Sequence, residues 1–232
     1  MKKVIFFALC AFQLYGKTFF TLGLSAGAMY QGGVFQGVNQ NSGGGSFESK
    51  RNPYGVPAYL GALQLGLRHI EGSIYLAARL YYTINTFNKT IYKNIVTPLV
   101  QDSVSLKTKG GPGCVFHVGY HVKNITPYIL IGVEYTQREL TYKATNLQTD
   151  FFINQRKPIM VLGVGMMGNI HEKVSIGIEA QRKQGQEFDV QIPVSLGYPS
   201  LSNHRLKVGT SHWAIVATLT YEIPLPTAGK KV

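Results

Sequence analysis

The sequence predicts an all-β fold, an eight-stranded antiparallel up-and-down β-barrel, and three observations lead to it. First, eight segments of about ten residues carry an apolar side chain at every second position, which is the period of a strand with two different faces. Second, none of these apolar sets contains a charged residue. Third, short and long connections alternate along the chain. Strands at such regular spacing indicate a closed barrel.

The apolar sets place the eight strands in chain order. They are Phe20, Leu22, Leu24, Ala26, Ala28 and Tyr30; Tyr59, Leu63, Leu65 and Leu67; Ile74, Leu76, Ala78, Leu80 and Tyr82; Phe116, Val118, Tyr120 and Val122; Ile129, Ile131, Val133 and Tyr135; Met160, Leu162, Val164 and Met166; Val174, Ile176, Ile178 and Ala180; and Trp213, Ile215, Ala217, Leu219 and Tyr221. Ten residues tilted by about 45° rise about 23 Å, close to the height of the apolar band on a membrane-spanning barrel.

The complementary face of the strands is small and polar, with few charges. Its charged residues are Arg68, Arg79, Glu134 and Glu179. A soluble barrel would carry many lysines and glutamates on its wet face, so the uncharged apolar face is predicted to contact lipid. The four charges then form a salt-bridge network that plugs a narrow lumen. The alternatives are a narrow gated pore and a secreted, soluble, lipocalin-like ligand-binding barrel.

The connections between the strands indicate a topology. Three are short, about four residues each, near Glu71, Asn124 and Glu172, and four are longer than about twenty residues. Structureless loops of that length are uncommon in compact soluble domains. The pattern predicts a transmembrane barrel with three short periplasmic turns and four long extracellular loops. The first loop, residues 32–57, has a low-complexity tip at residues 39–46.

The termini suggest export. Residues 1–16 have the basic start and short apolar run of a signal peptide, residues 17–223 form the barrel, and residues 224–232 form a short basic periplasmic tail. The chain carries 23 basic and 11 acidic residues, a net charge of +12, of which Lys2 and Lys3 would leave with the signal peptide. In a secreted chain this charge fits anionic lipid better than nucleic acid, so no nucleic-acid partner is predicted.

With these strands and connections, residues 18–223 resemble the small eight-stranded outer-membrane barrels of Gram-negative bacteria: the OmpA membrane domain, OmpX and the Opa adhesins. The resemblance is one of architecture. It implies residence in the outer membrane and insertion by the barrel-assembly machinery, which reads an aromatic residue closing the last strand. Tyr221 occupies that place here, although further residues follow it.

No set of residues predicts catalysis, a metal site or a cofactor. The six histidines show no metal-ligand spacing on a common element. Ser211 and His212 are adjacent on one strand, so their side chains point to opposite faces and cannot serve each other as nucleophile and base. The protein is therefore predicted not to be an enzyme.

Basic residues concentrate near the outer strand ends, where they could bind lipopolysaccharide phosphates. This predicted cationic rim comprises Lys107, Lys109, Arg138, Arg156, Lys157, Arg182, Lys183, Arg205 and Lys207. The long loops also contain many apolar residues, among them Phe87, Phe152 and Phe188, which must pack on one another or bind a partner. The prediction is a surface-exposed structural protein or adhesin, whose loops bind host or envelope ligands.

Overall fold

The computed structural model describes residues 16–40, 46–48, 52–85, 87–97, 100–144, 151–192 and 204–226. Eleven strands account for nearly all of them: β1 (Lys17–Gln40), β2 (Ser46–Glu48), β3 (Asn52–Glu71), β4 (Ile74–Asn85), β5 (Phe87–Thr97), β6 (Val100–Lys109), β7 (Pro112–Tyr120), β8 (Ile125–Ala144), β9 (Phe151–His171), β10 (Val174–Ile192) and β11 (His204–Pro224). Within these residues there is no helix with the length and apolar character needed to cross a membrane. Nearly all of the predicted signal peptide, the end of the tail and the centre of the low-complexity tip lie outside the described residues.

Eight of the strands close into a ring, which confirms the predicted fold class. Around the ring the antiparallel order is β8, β7, β4, β3, β1, β11, β10 and β9, and pairing of β9 with β8 completes the circle. The register between β1 and β11 is unbroken from Phe19↔Pro224 to Asn39↔His204. Short connections follow Glu71, Val122 and His171. We call that end of the barrel the turn end, and the opposite end the loop end.

At the loop end, much of what the sequence suggests as loop is strand. β1 continues to Gln40 and β3 begins at Asn52, so the predicted first loop consists largely of the two paired strands. A β5–β6 hairpin stands between β4 and β7, and β6 pairs with the last part of β8, from Gln137 onward. Strands already side by side continue their ladder where the residues allow it, whether or not one face is apolar.

The two faces of the ring strands differ as their alternation predicts. Outward residues such as Leu24, Leu65 and Ile131 are between 49% and 56% exposed, and the inward Val115 and Val161 are at most 1% exposed. The exposed apolar side chains follow the strand period on all eight ring strands. They form a belt around the barrel, and an apolar surface of this extent needs a non-aqueous neighbour.

The lumen contains two apolar clusters with polar layers around them. The turn-end cluster includes Tyr75, Val115 and Tyr128. The loop-end cluster includes Phe87 and Phe188, which are 2% and 0% exposed. The sequence predicts that apolar loop residues either pack on one another or bind a partner. Phe87 and Phe188 do the first, because both pack inside the loop end of the barrel. Phe152 remains exposed.

Candidate functional site

A bidentate ion pair between Arg79 on β4 and Glu179 on β10 occupies the centre of the lumen. These two strands lie on opposite sides of the ring. Arg79 Nη1 and Nη2 donate to the two oxygens of Glu179 at 2.7 and 2.9 Å. Tyr128 Oη and Gln181 Nε2 also donate to this carboxylate, at 2.8 and 2.7 Å. The parallel bonds fix the geometry of both side chains, so the pair ties two facing walls of the barrel together.

The other two predicted lumen charges are Glu134 and Arg68. Their ion-pair partners were not among the lumen residues that the sequence suggested. Glu134 accepts a hydrogen bond from Lys183 Nζ at 2.6 Å. Arg68 donates to Glu222, whose carboxylate also accepts from Ser175 Oγ at 2.6 Å. The predicted four-residue network is therefore three separate ion pairs. The alternation of inward and outward side chains could have identified these partners from the sequence. Lys183 continues the inward set of Glu179, and Glu222 belongs to the inward set of β11.

The prediction that Lys183 and Arg138 belong to an exposed cationic rim is wrong, because both side chains are buried. Lys183 and Arg138 are 3% and 0% exposed, and both point into the lumen. The strands continue beyond the height at which the sequence suggested a rim, and their period places both residues on the inward face. Neither residue can contact lipopolysaccharide.

Most of the remaining predicted rim cations are exposed. Those are Lys107, Lys109, Arg156, Lys157 and Arg182, whereas Lys207 is half-buried and the side chain of Arg205 lies outside the described ones. Lys107 and Lys109 approach Glu139 to 3.9 and 2.5 Å, which offsets part of their charge. Arg182 lies 5.4 Å from the ring centre of Trp213, a cation–π contact on the outward face.

Above the Glu134 pair, a polar layer at the loop end surrounds Arg138. This arginine crosses from β8 to β11, where it donates to Thr210 Oγ1 and, at 3.4 Å, to His212 Nδ1. Thr108 Oγ1 donates to Gln31 Oε1 at 3.2 Å in the same layer. The layer contains hydrogen-bonding groups from four strands of the structure.

Aromatic side chains fill the turn-end half of the lumen. The His117 ring is stacked on Tyr128, with centroids 4.7 Å apart and planes within 4°, and Tyr75 lies 5.7 Å from Tyr128. His121 is hydrogen-bonded to Thr126 at 2.8 Å. Among the described residues, no group of three His, Cys, Asp or Glu side chains is arranged to hold a metal ion. The histidines act here as packing and hydrogen-bonding groups.

Two small cavities lie between these layers in the described lumen. A cavity of about 30 Å³ lies between the Arg68 and Arg79 pairs, and one of about 20 Å³ lies between Arg79 and Lys183. Such volumes hold one or a few water molecules. The arrangement can brace the barrel wall.

Gly165 leaves room for the ring of Tyr128, which donates to Glu179 of the central pair. A Cβ on Gly165 would lie 2.6 Å from the ring of Tyr128, and that ring is held by Glu179 and His117. We expect Gly165→Ala to lower the free energy of unfolding by about 1–3 kcal/mol, as overpacking does. Urea unfolding in lipid vesicles measures this loss.

The matched control lies on the same strand. A Cβ on Gly168 would meet its nearest neighbour at an ordinary 3.7 Å. Gly168→Ala should therefore change the free energy of unfolding by no more than about 0.5 kcal/mol. Equal effects of the two substitutions would mean that the space beside Tyr128 is not what Gly165 provides.

Comparison with known proteins gives matches by structure alone, since no protein-family model and no curated protein sequence matches the chain. The protease OmpT of Escherichia coli is 7% identical, with a TM-score of 0.50, over 88% of this chain and 97% of OmpT. OprG of Pseudomonas aeruginosa is 10% identical, with a TM-score of 0.45, over 91% and 98%. Ail of Yersinia pestis is 11% identical, with a TM-score of 0.36, over 90% and 100%. At these identities the likeness concerns the fold alone: this chain is an antiparallel up-and-down β-barrel, as these outer-membrane proteins are.

Proposed function

We propose that this chain is an outer-membrane protein of the Gram-negative cell envelope whose barrel anchors a surface-exposed extension. The observation that carries the proposal is the belt of uncharged apolar side chains on the outside of a closed ring. A bilayer is the solvent in which such a belt is stable, and a closed barrel leaves no unpaired strand edge there. The turn end then faces the periplasm and the loop end faces outward.

The contents of the lumen favour a structural barrel over the two alternatives. Three ion pairs and two apolar clusters fill it, with cavities of about 30 and 20 Å³ between them. A lipocalin-like carrier needs a ligand-sized pocket, and a pore needs a continuous path. No catalytic activity is part of the proposal, since Ser211 hydrogen-bonds to Gly32 O while His212 is buried in the lumen.

The working part is the loop end, where β5, β6 and the ends of the ring strands stand clear of the belt. Phe87 and Phe188 are buried there and Phe152 is exposed, so the described surface offered to a partner is largely polar and basic with one aromatic side chain. Arg156 and Lys157 are exposed beyond Tyr135 in the β8–β9 register, and Arg182 is exposed next to the outward Trp213 in the β10–β11 register. This arrangement suits phosphate groups of lipopolysaccharide, and anionic host or envelope ligands could bind further out.

Cysteine labelling tests both residence and orientation. In a Cys114→Ala background, we place one cysteine on the β5–β6 hairpin, as Lys89→Cys, and one at a short turn, as Glu172→Cys, both exposed positions. A membrane-impermeant maleimide should label residue 89 on intact cells and residue 172 only after the cells are opened. Both variants should fractionate with the outer membrane and migrate faster on gels when not boiled.

The Cys114→Ala chain without a new cysteine is the control and should stay unlabelled. Labelling of residue 172 alone on intact cells would reverse the orientation. Recovery of the protein in the soluble periplasm without detergent would contradict membrane residence and favour the lipocalin-like alternative.

A further inference from the structure

The loop-end layer of the lumen contains a buried cation, Arg138. Among the described residues, no carboxylate forms an ion pair with it. Arg138 is 0% exposed, and both of its hydrogen-bond partners, Thr210 and His212, are uncharged acceptors. Glu134 acts on it electrostatically, but that carboxylate is already bound by Lys183. A guanidinium keeps its proton in a protein, and burying a charge without a counter-charge is very costly.

The described side chains of the lumen have the same surplus of one positive charge. The lumen-facing cations described are Arg68, Arg79, Arg138 and Lys183, and the lumen-facing carboxylates described are Glu134, Glu179 and Glu222. Each carboxylate is used by one of the other three cations. Glu139 follows Arg138 on β8 and therefore points the other way, toward Lys109.

Most of the unused hydrogen-bonding atoms around Arg138 are donors. Arg138 can only donate, so His212 Nδ1 accepts its bond and the proton of that ring is on Nε2. Two buried nitrogens, Arg138 Nε and His212 Nε2, are then left without a partner among the described residues, while the Gln31 amide has the Tyr54 hydroxyl beside it. Gln31 and His212 are direct partners in the β1–β11 register, which places their Cβ atoms about 5 Å apart.

One unpaired acceptor lies nearby, and it does not remove the need for an anion. Gln155 Oε1 is buried without a partner, and Gln155 is opposite Arg138 in the β8–β9 register. Turning this amide could satisfy Arg138 Nε, and a water molecule could do the same. Neither carries the negative charge that the layer lacks, and both leave other donors unpaired.

We propose that the loop-end lumen binds a small monovalent inorganic anion of chloride size, held by the unpaired Nε–H of the buried Arg138 guanidinium. A single negative charge neutralises the surplus, and a monatomic anion accepts a hydrogen bond without directional preference. Phe188 and Val208, both fully buried in this end of the barrel, exclude bulk water from the site. The site is independent of any ligand bound on the outer surface.

Thermal unfolding in detergent micelles tests the site with chloride itself. We compare sodium chloride with equal concentrations of sodium gluconate, whose anion is too large for the lumen, and follow the band shift of the folded barrel. A ligand that binds only the folded state raises its unfolding temperature with concentration. We expect such a rise of several degrees for the wild type and none for Arg138→Met. Arg182→Met, which removes an exposed cation, should keep the full rise.

The unfolding temperatures in sodium gluconate alone give a second test, in which the variant rather than the wild type is favoured. There Arg138→Met should be at least as stable as the wild type, because it replaces an uncompensated buried charge by an apolar side chain of similar length. Should that variant fail to fold, crystals of the wild type soaked in bromide decide the matter through an anomalous peak beside the Arg138 guanidinium. The proposal is overturned if chloride has no effect on the wild type, if it stabilises Arg138→Met equally, or if bromide occupies exposed cations only.

Discussion

Replacing Arg79 by methionine is expected to lower the free energy of unfolding by about 3–5 kcal/mol, one of the largest effects of any single substitution in this chain. The change leaves Glu179, which is 0% exposed on its side chain, as a buried charge without its cation. Tyr128 and Gln181 would still donate to the carboxylate but cannot neutralise it. Urea unfolding in lipid vesicles, followed by the fluorescence of the single tryptophan, Trp213, gives the free energy.

A double-mutant cycle separates the pair from the burial of either residue. Arg79→Met together with Glu179→Leu should cost much less than the sum of the two single changes, because no unpaired charge remains. Lys109→Met is the matched control: it breaks a 2.5 Å ion pair with Glu139, but Lys109 is 46% exposed. Its cost should not exceed about 1 kcal/mol. Additive costs in the Arg79–Glu179 cycle would show that the two residues are not coupled.

The strand alternation made the barrel and its two faces predictable from the sequence. Period-two placement assigned Arg68, Arg79, Glu134 and Glu179 to the same inward face, and all four are inward in the structure. The small, polar character of that face predicts a narrow lumen. The structure adds the physical reason at Gly113 and Gly165, where a Cβ would collide with the rings of Tyr81 and Tyr128.

The pairing of those charges was not predictable in the same way. Which strand faces which depends on closure of the ring, and the height at which two side chains meet depends on the stagger of the strands. Arg79 and Glu179 meet because β4 and β10 are opposite each other in the closed ring. Lys183 was assigned to the rim because the sequence contains no mark of where the lumen ends.

The loop end was the least predictable part. Above the belt the apolar and polar faces no longer alternate cleanly, so paired strands there look like loops in the sequence. Backbone pairing by β6 along β8 depends on hydrogen bonds that most residues can make. The burial of Phe87 and Phe188 follows from that extension, since longer strands enclose a longer lumen.

The lipid-facing belt leads to the second large effect. Ile131 is an outward residue near the middle of the exposed apolar stretch of β8, which runs from Ile125 to Tyr135. Ile131→Arg should lower the free energy of unfolding by about 2–4 kcal/mol in lipid vesicles. An arginine there must reach water from the centre of the hydrocarbon layer. Urea titration of the refolded variant, with Trp213 as the reporter, measures the loss.

Ile125→Arg is the control that gives this experiment its meaning. Ile125 begins β8 next to the turn at Asn124, faces outward and is 51% exposed, against 49% for Ile131. The two substitutions are chemically identical and equally exposed, so they differ only in depth along the barrel. In a membrane the cost near the interface falls to about 0–1 kcal/mol, whereas a barrel surrounded by water would tolerate both changes equally. A steep difference between the two positions therefore tests the lipid environment itself, and equal, small costs would contradict it.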